Sequence, residues 1–134
     1  MTESDLVFDT WAWWEVLHKT AVGLSLAERY FRSGKYRVHT SSISLGELSA
    51  RLLIDGGTPE WIALMCGSIR RTSHLWDVTA DIAQEAGVVR AQLREKSSSA
   101  SLVDAIIYVT ARKAGARIVS ADPAFRGIPG VITR

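Results

Sequence analysis

Short apolar runs alternate with longer segments of helical periodicity along the whole chain, and this alternation is what most constrains the fold. The runs predict strands at 6–8, 37–43, 74–78, 117–119 and 130–133. Helical patterns cover 11–19, 24–33, 44–53, 59–71, a long stretch after Thr79, and 102–114. Because strands separated by helices are joined by crossover connections, the sequence predicts an α/β fold with three layers, α/β/α, around a short parallel sheet.

The length and composition fit one globular domain spanning residues 1–134. The chain has 134 residues, of which 47% are hydrophobic and 22% charged, too apolar for a disordered chain and too mixed for a membrane one. Its first residues are acidic rather than basic, and no apolar run approaches the roughly 18 residues that span a bilayer. The single cysteine, Cys66, excludes an internal disulfide and is predicted to be a small buried hydrophobe. We expect a cytoplasmic protein without membrane contact.

Four acidic residues fall at equivalent places in this outline. Asp9 ends the first strand, and Asp122 lies just past the fourth. Glu47 and Asp104 lie in the predicted first turns of two helices, each three residues after a serine. Because strand ends and the starts of the following helices share one edge of a parallel sheet, we expect these four carboxylates to meet where ligands bind.

Each acid also has a purely structural explanation. Ser44 and Glu47 fit a capping box, and Ser101 with Asp104 comes close to one. Asp9 is a good N-cap, and an aspartate before a proline, such as Asp122, is typical of turns. Four acids at one edge nevertheless repel one another unless something compensates their charge.

A divalent cation is the natural compensation, and oxygen ligands without a cysteine or histidine cluster favour Mg²⁺ or Mn²⁺ over zinc. Such ions support in-line hydrolysis of phosphodiesters. The hydroxyls of Thr10 and Ser120, beside Asp9 and Asp122, are candidates to orient the ligands. Bound cations would also make the surface more positive than the formal net charge of +2, which alone is too small to attract a polyanion.

The sequence resembles the PIN-domain family, and within it the VapC-type toxins of toxin–antitoxin pairs. The matching segments are LVFDT at 6–10, SISLGEL at 42–48, SLVDAII at 101–107 and IVSADPAF at 118–125. No single segment is specific, but the ordered set at this chain length is. The resemblance implies a metal-dependent endoribonuclease in which Asp9, Glu47, Asp104 and Asp122 form the acidic cluster that binds Mg²⁺ or Mn²⁺. It also implies a homodimer and a cognate antitoxin that covers the active-site groove.

The basic and aromatic residues near these segments give weaker predictions. Arg51 lies one helical turn beyond Glu47, and Arg126 lies four residues past Asp122, so both are candidates to contact an RNA phosphate. An ordinary role as surface charges is the alternative for both arginines. The first helix is unusually rich in tryptophan, which we interpret first as core and second as a dimer or antitoxin surface.

Two other classes of function remain open at this stage. A receiver-type phosphoacceptor domain has this length and also binds Mg²⁺ at strand ends, but it needs adjacent acids after the first strand, where Asp9 stands alone before Thr10. A non-catalytic PIN-like module that binds RNA or protein is the other alternative. The presence of all four acids argues against that second alternative.

Overall fold

The computed structural model describes residues 4–132, in which short strands alternate with helices. The strands are β1 (Asp5–Phe8), β2 (Arg37–Ser41), β3 (His74–Trp76), β4 (Arg117–Val119) and β5 (Val131–Ile132). The helices are α1 (Thr10–Leu17), α2 (Ala21–Ala27), α3 (Ser42–Ile54), α4 (Pro59–Thr72), α5 (Ala80–Lys96) and α6 (Leu102–Ala114). A π-helical turn (Glu28–Arg32) continues α2, and a 3₁₀ turn (Pro123–Phe125) follows β4.

The strands form one parallel sheet in the order β3-β2-β1-β4-β5. Val7 at the centre of β1 aligns with His39 on one side and Ile118 on the other. The predicted parallel sheet is therefore confirmed. Receiver domains have the order 2-1-3-4-5, so the receiver alternative is wrong.

Helices cover both faces of this sheet, as alternate residues of β1 show. Leu6 and Phe8 pack in a core with Trp13 of α1, whereas Val7 packs in a separate core with Ile107 of α6. Successive side chains of a strand point to opposite faces, so these two cores lie on opposite sides of the sheet. The predicted three-layer arrangement is confirmed, and so is the interpretation of Trp13 as core.

The second helix begins three residues earlier than predicted. Thr20 caps α2 by accepting a hydrogen bond at Oγ1 from the Gly23 amide, 3.0 Å away. A Cβ at position 23 would lie only 1.9 Å from the Glu15 carbonyl oxygen, so only glycine allows α1 and α2 to approach this closely. A glycine that lowers helix propensity is thus required for packing, which the helical pattern alone does not reveal.

The boundary between β2 and α3 also differs from the prediction. The strand ends at Ser41, which caps α3 by accepting at Oγ from the Ile43 amide, 3.3 Å away. The predicted strand to Ile43 and helix start at Ser44 are therefore wrong by two residues, and Glu47 lies in the second turn instead of the first. Three serines here are suitable caps by type, and tertiary contact decides among them: Ser42 Oγ accepts from the Val78 amide, 3.1 Å away.

Smaller differences affect the ends of other elements. The first helix stops at Leu17 rather than residue 19, because Lys19 has a left-handed φ of 52°. β3 ends at Trp76 rather than 78, and β5 covers only Val131–Ile132, while the predicted end at Thr133 lies outside the described residues. Cys66 is half-buried, with Sγ 3.4 Å from Ser49 Oγ, so its predicted full burial is wrong. No helix within 4–132 has the length and apolar character needed to cross a membrane.

Candidate active site

The four acids singled out in the sequence line one small pocket at the carboxyl edge of the sheet. β1 lies between β2 and β4, so the strand order changes direction at β1. Sheets of α/β proteins bind ligands at such a switch point. The cavity measures about 100 Å³. We call it the acid pocket, and its walls are Asp9, Thr10, Trp11, Glu47, Arg51, Asp104, Ile107 and Asp122.

Asp9 lies at the bottom of the acid pocket and is only 3% exposed. It ends β1 and caps α1, with Oδ1 accepting from the Ala12 amide at 2.9 Å. The pKa of Asp9 is raised from 3.8 to about 7, mainly by burial; hydrogen bonds from Ser120 and Ala12 oppose the rise, and the negative charges of Asp122 and Asp104 add to it. At neutral pH this carboxyl therefore keeps its proton more readily than an ordinary aspartate does.

Asp104 occupies the first turn of α6, where it completes a capping box with Ser101. Its Oδ2 accepts from the Ser101 amide and hydroxyl, each at 2.8 Å, and its own amide donates to Ser101 Oγ at 3.1 Å. The predicted capping interaction between Ser101 and Asp104 is therefore confirmed. Burial raises the pKa of Asp104, hydrogen bonds from Ser101 lower it, and the charge of Asp122 and a hydrogen bond with its side chain raise it.

Asp122 reaches the same pocket from the loop after β4. Its Oδ1 caps the 3₁₀ turn by accepting from the Ala124 amide at 2.8 Å, and its own amide donates to Ser120 Oγ at 2.9 Å. Ser120 is fully buried and also hydrogen-bonds Asp9, so one hydroxyl links two of the acids. Ser120 therefore contacts the side chain of Asp9 and the main chain of Asp122.

Glu47 joins the pocket from α3 and is half-buried. Thr10 donates a short hydrogen bond to its Oε1, and the Thr10 hydroxyl also lies 3.3 Å from the buried Ser44 Oγ. Thr10 therefore contacts Glu47 from α3, a partner that its place beside Asp9 in the sequence does not indicate. This pairing bridges α1 and α3 across the mouth of the pocket.

The two predicted phosphate contacts fall in different places. Arg51 lines the acid pocket, with its guanidinium carbon 4.5 Å from the ring centroid of Trp14, a cation–π contact that limits its motion. Arg126 is exposed at the end of the 3₁₀ turn and does not line the pocket. Only one of the two arginines is thus brought to the acids.

Two pocket residues are absent from the sequence-based predictions of the site. Trp11 and Ile107 line the acid pocket, although Trp11 is among the tryptophans interpreted first as core and Ile107 has no predicted site role. The spacing contains the missing signal, because Trp11 is two residues after Asp9 and Ile107 is one turn after Asp104. Residues next to an acid at a helix start share its edge of the sheet.

The donor set of the acid pocket suits a hard divalent cation, because it consists of carboxylate and hydroxyl oxygens. In the part of the chain that is described, no three Asp, Glu, His or Cys side chains have the geometry of a ready-made metal site. The carboxyls are instead engaged with protons, through the hydrogen bonds of Asp104 with Asp122 and of Glu47 with Thr10. A cation and these protons would compete for the same oxygens.

A profile of the PIN-domain family matches residues 6–131, so the chain belongs to the PIN-domain family. The family resemblance seen in the sequence is thereby confirmed. A comparison with curated protein sequences gave no match.

Solved structures of toxin–antitoxin proteins have the same fold. A chain of a toxin–antitoxin complex from Klebsiella pneumoniae is 21% identical, with 96% of each chain covered and a TM-score of 0.71. VapBC2 from Rickettsia felis, bound to a DNA fragment from its promoter, matches at 18% identity over 97% of each chain, with a TM-score of 0.72. VapC20 of Mycobacterium tuberculosis, described as a sarcin-ricin loop cleaving toxin, is 26% identical over 94% of this chain and 98% of its own, with a TM-score of 0.69.

Proposed function

We propose that this chain is a metal-dependent endoribonuclease and the toxin of a toxin–antitoxin pair, with residues 1–134 forming a single PIN nuclease domain. The observation that carries the proposal is the acid pocket itself. Four carboxyls from separate parts of the chain, Asp9, Glu47, Asp104 and Asp122, line one cavity at the switch point of the sheet. A packed core gains nothing from burying acids together, because each raises the cost of ionising the others.

The four acids would hold Mg²⁺ or Mn²⁺ through their carboxylate oxygens. When bound, such an ion neutralises charge on a phosphodiester and lowers the pKa of an attacking water. Asp9 and Asp104 each accept a hydrogen bond from a backbone amide at a helix start, so both carboxyls are held on rigid elements. Ser120 would hold Asp9 and Asp122 in place, and Thr10 would hold Glu47.

Arg51 would place the phosphate of the substrate beside the acids. It is the cationic wall of the acid pocket, and contact with Trp14 limits its motion before substrate arrives. Arg126 would contact the RNA farther from the cleaved bond, since it is exposed outside the pocket. Both contacts depend on charge, so they weaken as salt is added.

The similarity to VapC20, at 26% identity, supports an RNA substrate and a toxin role, because that protein is described as a toxin that cleaves the sarcin-ricin loop. The Rickettsia felis complex contains VapBC2 with promoter DNA, which supports a cognate antitoxin as partner. We further propose that the chain forms a homodimer and acts in the cytoplasm. A small neighbouring reading frame whose product binds and silences this chain would support the pairing.

The proposal is tested by incubating the purified protein with structured RNA, in Mn²⁺ or in EDTA, beside the Asp104→Asn variant. We expect internal cleavage by the wild type in Mn²⁺, none in EDTA, and none by the variant. Intact RNA in the wild-type reaction with Mn²⁺, or cleavage by the variant at the wild-type rate, would show that the proposal is wrong.

A non-catalytic PIN-like module that binds RNA or protein is the second candidate. It is favoured by the lack of a ready-made metal geometry among the side chains of residues 4–132. The same assay separates the two functions, because this candidate predicts an electrophoretic shift of the RNA without new 5′ ends in Mn²⁺.

A further inference from the structure

Trp11 lines the acid pocket but has no role in the cation binding proposed for the acids. It is the second residue of α1, is half-buried, and lines the same cavity as Asp9 and Asp104. Within residues 4–132, no ring or guanidinium stacks on its indole, and no acceptor binds its Nε1–H. The buried Trp13 differs in both respects, since it packs against Phe8 and donates to Thr40.

Trp11 begins a row of rings along one side of α1. Trp14 follows three residues later and His18 four residues after that, a spacing that places all three on one helix face. Trp14 is stacked on His18, with ring centroids 4.0 Å apart, and Arg51 lies over the Trp14 ring. Trp14 is therefore already engaged, whereas Trp11 lacks a stacking partner at the end of the row beside the acids.

We propose that Trp11 is a substrate-binding residue whose indole stacks on the base of a nucleotide next to the scissile phosphate. This inference rests on the proposed ribonuclease function. Aromatic side chains bind single-stranded nucleic acid by stacking on exposed bases, which a continuous duplex does not offer. One cavity is lined by acids that would bind a cation, by Arg51 for a phosphate and by the Trp11 ring for a base. These groups correspond to the parts of a nucleotide and its metal ion.

The inference is tested by measuring RNA binding to variants that also carry Asp104→Asn, which is expected to abolish cleavage, with Mg²⁺ present. The probes are a fluorescently labelled pool of mixed-sequence single-stranded RNA and a fully paired duplex pool, and the measurement is anisotropy. We expect Trp11→Ala to weaken binding of the single strands about 5- to 100-fold. Binding of the duplex should stay at the level of the parent.

Two further variants separate stacking from packing. Trp11→Leu keeps an apolar side chain against the core but has no aromatic face, so it should bind single strands as poorly as Trp11→Ala. Trp11→Phe retains a ring and should restore most of the binding. Trp61→Ala on α4 is the matched control: Trp61 is an exposed tryptophan that does not line the acid pocket, so its removal should leave binding unchanged.

Several outcomes would overturn the inference. Single-strand binding by Trp11→Leu at the parental level would show that Trp11 acts by packing, and unchanged binding by all Trp11 variants would show that the indole makes no contact with the base. An equal loss for single strands and duplex would indicate a general effect on charge or folding. Failure of wild-type cleavage in Mn²⁺ would overturn the nuclease proposal, whereas binding by the inactive variant tests Trp11 separately.

Discussion

Asp9 and Asp104 form the buried half of the acid pocket, whereas Glu47 and Arg51 form its more exposed half. The buried pair is held by main-chain amides, and burial raises the pKa of both carboxyls. The exposed pair is held by side chains alone, Glu47 by Thr10 and Arg51 by Trp14. In the proposed enzyme, the buried half would supply a rigid site for the cation, and the exposed half would adjust to the substrate.

The largest effect should come from removing a carboxylate of the buried half. Asp104→Asn retains an oxygen for the capping box but loses the charge that would hold the cation. We expect cleavage in Mn²⁺ to fall at least about 100-fold, more than a change outside the ligands costs. Asp55→Asn is the control, since Asp55 is an exposed aspartate at the far end of α3. Equal losses in both variants would contradict a specific role for Asp104.

The buried half should also make the metal-free protein less stable as pH rises. The pKa of Asp9 is about 7 in the folded state and 3.8 ordinarily, so between these values the folded state keeps a proton that the unfolded state releases. This contribution to stability is present below about pH 4 and is lost as pH rises through 7. We expect a total of up to about 4 kcal/mol, checked by urea unfolding in EDTA.

Asp9→Asn is the comparison for this pH dependence. The amide cannot ionise, so the variant should unfold with a free energy that falls less between pH 4 and 8 than that of the wild type. The difference between the two curves isolates Asp9 from other titrating groups. If the free energy of unfolding falls equally with pH in both proteins, the pKa of Asp9 is the same in the folded and unfolded states, which would contradict the prediction.

The hydrogen bond from Thr10 to Glu47 in the exposed half should matter more for cleavage than an ordinary hydrogen bond of equal stability. Thr10→Val keeps the shape of the side chain but removes the hydrogen bond to Glu47, so we expect about a 10-fold loss of cleavage. Thr110→Val is the matched control: that buried threonine donates to the Ile106 carbonyl within its own helix. Both should cost about 1 kcal/mol of folding free energy. A similar loss of cleavage in both would refute the positioning role of Thr10.

The smallest effect should come from Arg51. Arg51→Ala should lower cleavage only about 2- to 5-fold at low salt, and the difference from wild type should shrink as salt screens the charge. Arg29→Ala is the control, because Arg29 also lies over an aromatic ring, 5.4 Å from the Tyr30 centroid, but does not line the acid pocket. Initial rates at several salt concentrations provide the measurement, and a salt-independent loss would contradict the phosphate contact.

The sequence predicted the sheet and the buried half of the pocket well, because both depend on local patterns. The buried run Leu6–Phe8 marks β1, and the acid that follows it must lie at the strand end. Ser101 and Asp104 satisfy a capping box within four residues, which is local chemistry. Periodicity and capping therefore sufficed for these parts of the molecule.

The remaining features depend on contacts between distant residues. The pairing of Thr10 with Glu47 spans 37 positions, and Arg51 meets Trp14 from another helix. The start of α3 was misplaced because Ser42 binds Val78, a partner that local propensity does not include. Likewise, Trp11 looks like any core tryptophan until the fold places it beside the acids.

Direct titration of Mn²⁺ tests the central claim that the four carboxyls form one cation site. Calorimetry near pH 6.5, in two buffers of different ionisation enthalpy, measures both binding and proton release. We predict that the wild type binds Mn²⁺ and releases protons, mainly from Asp9, and that Asp104→Asn loses most of the affinity. No binding by the wild type, or equal binding by the variant, would contradict the claim.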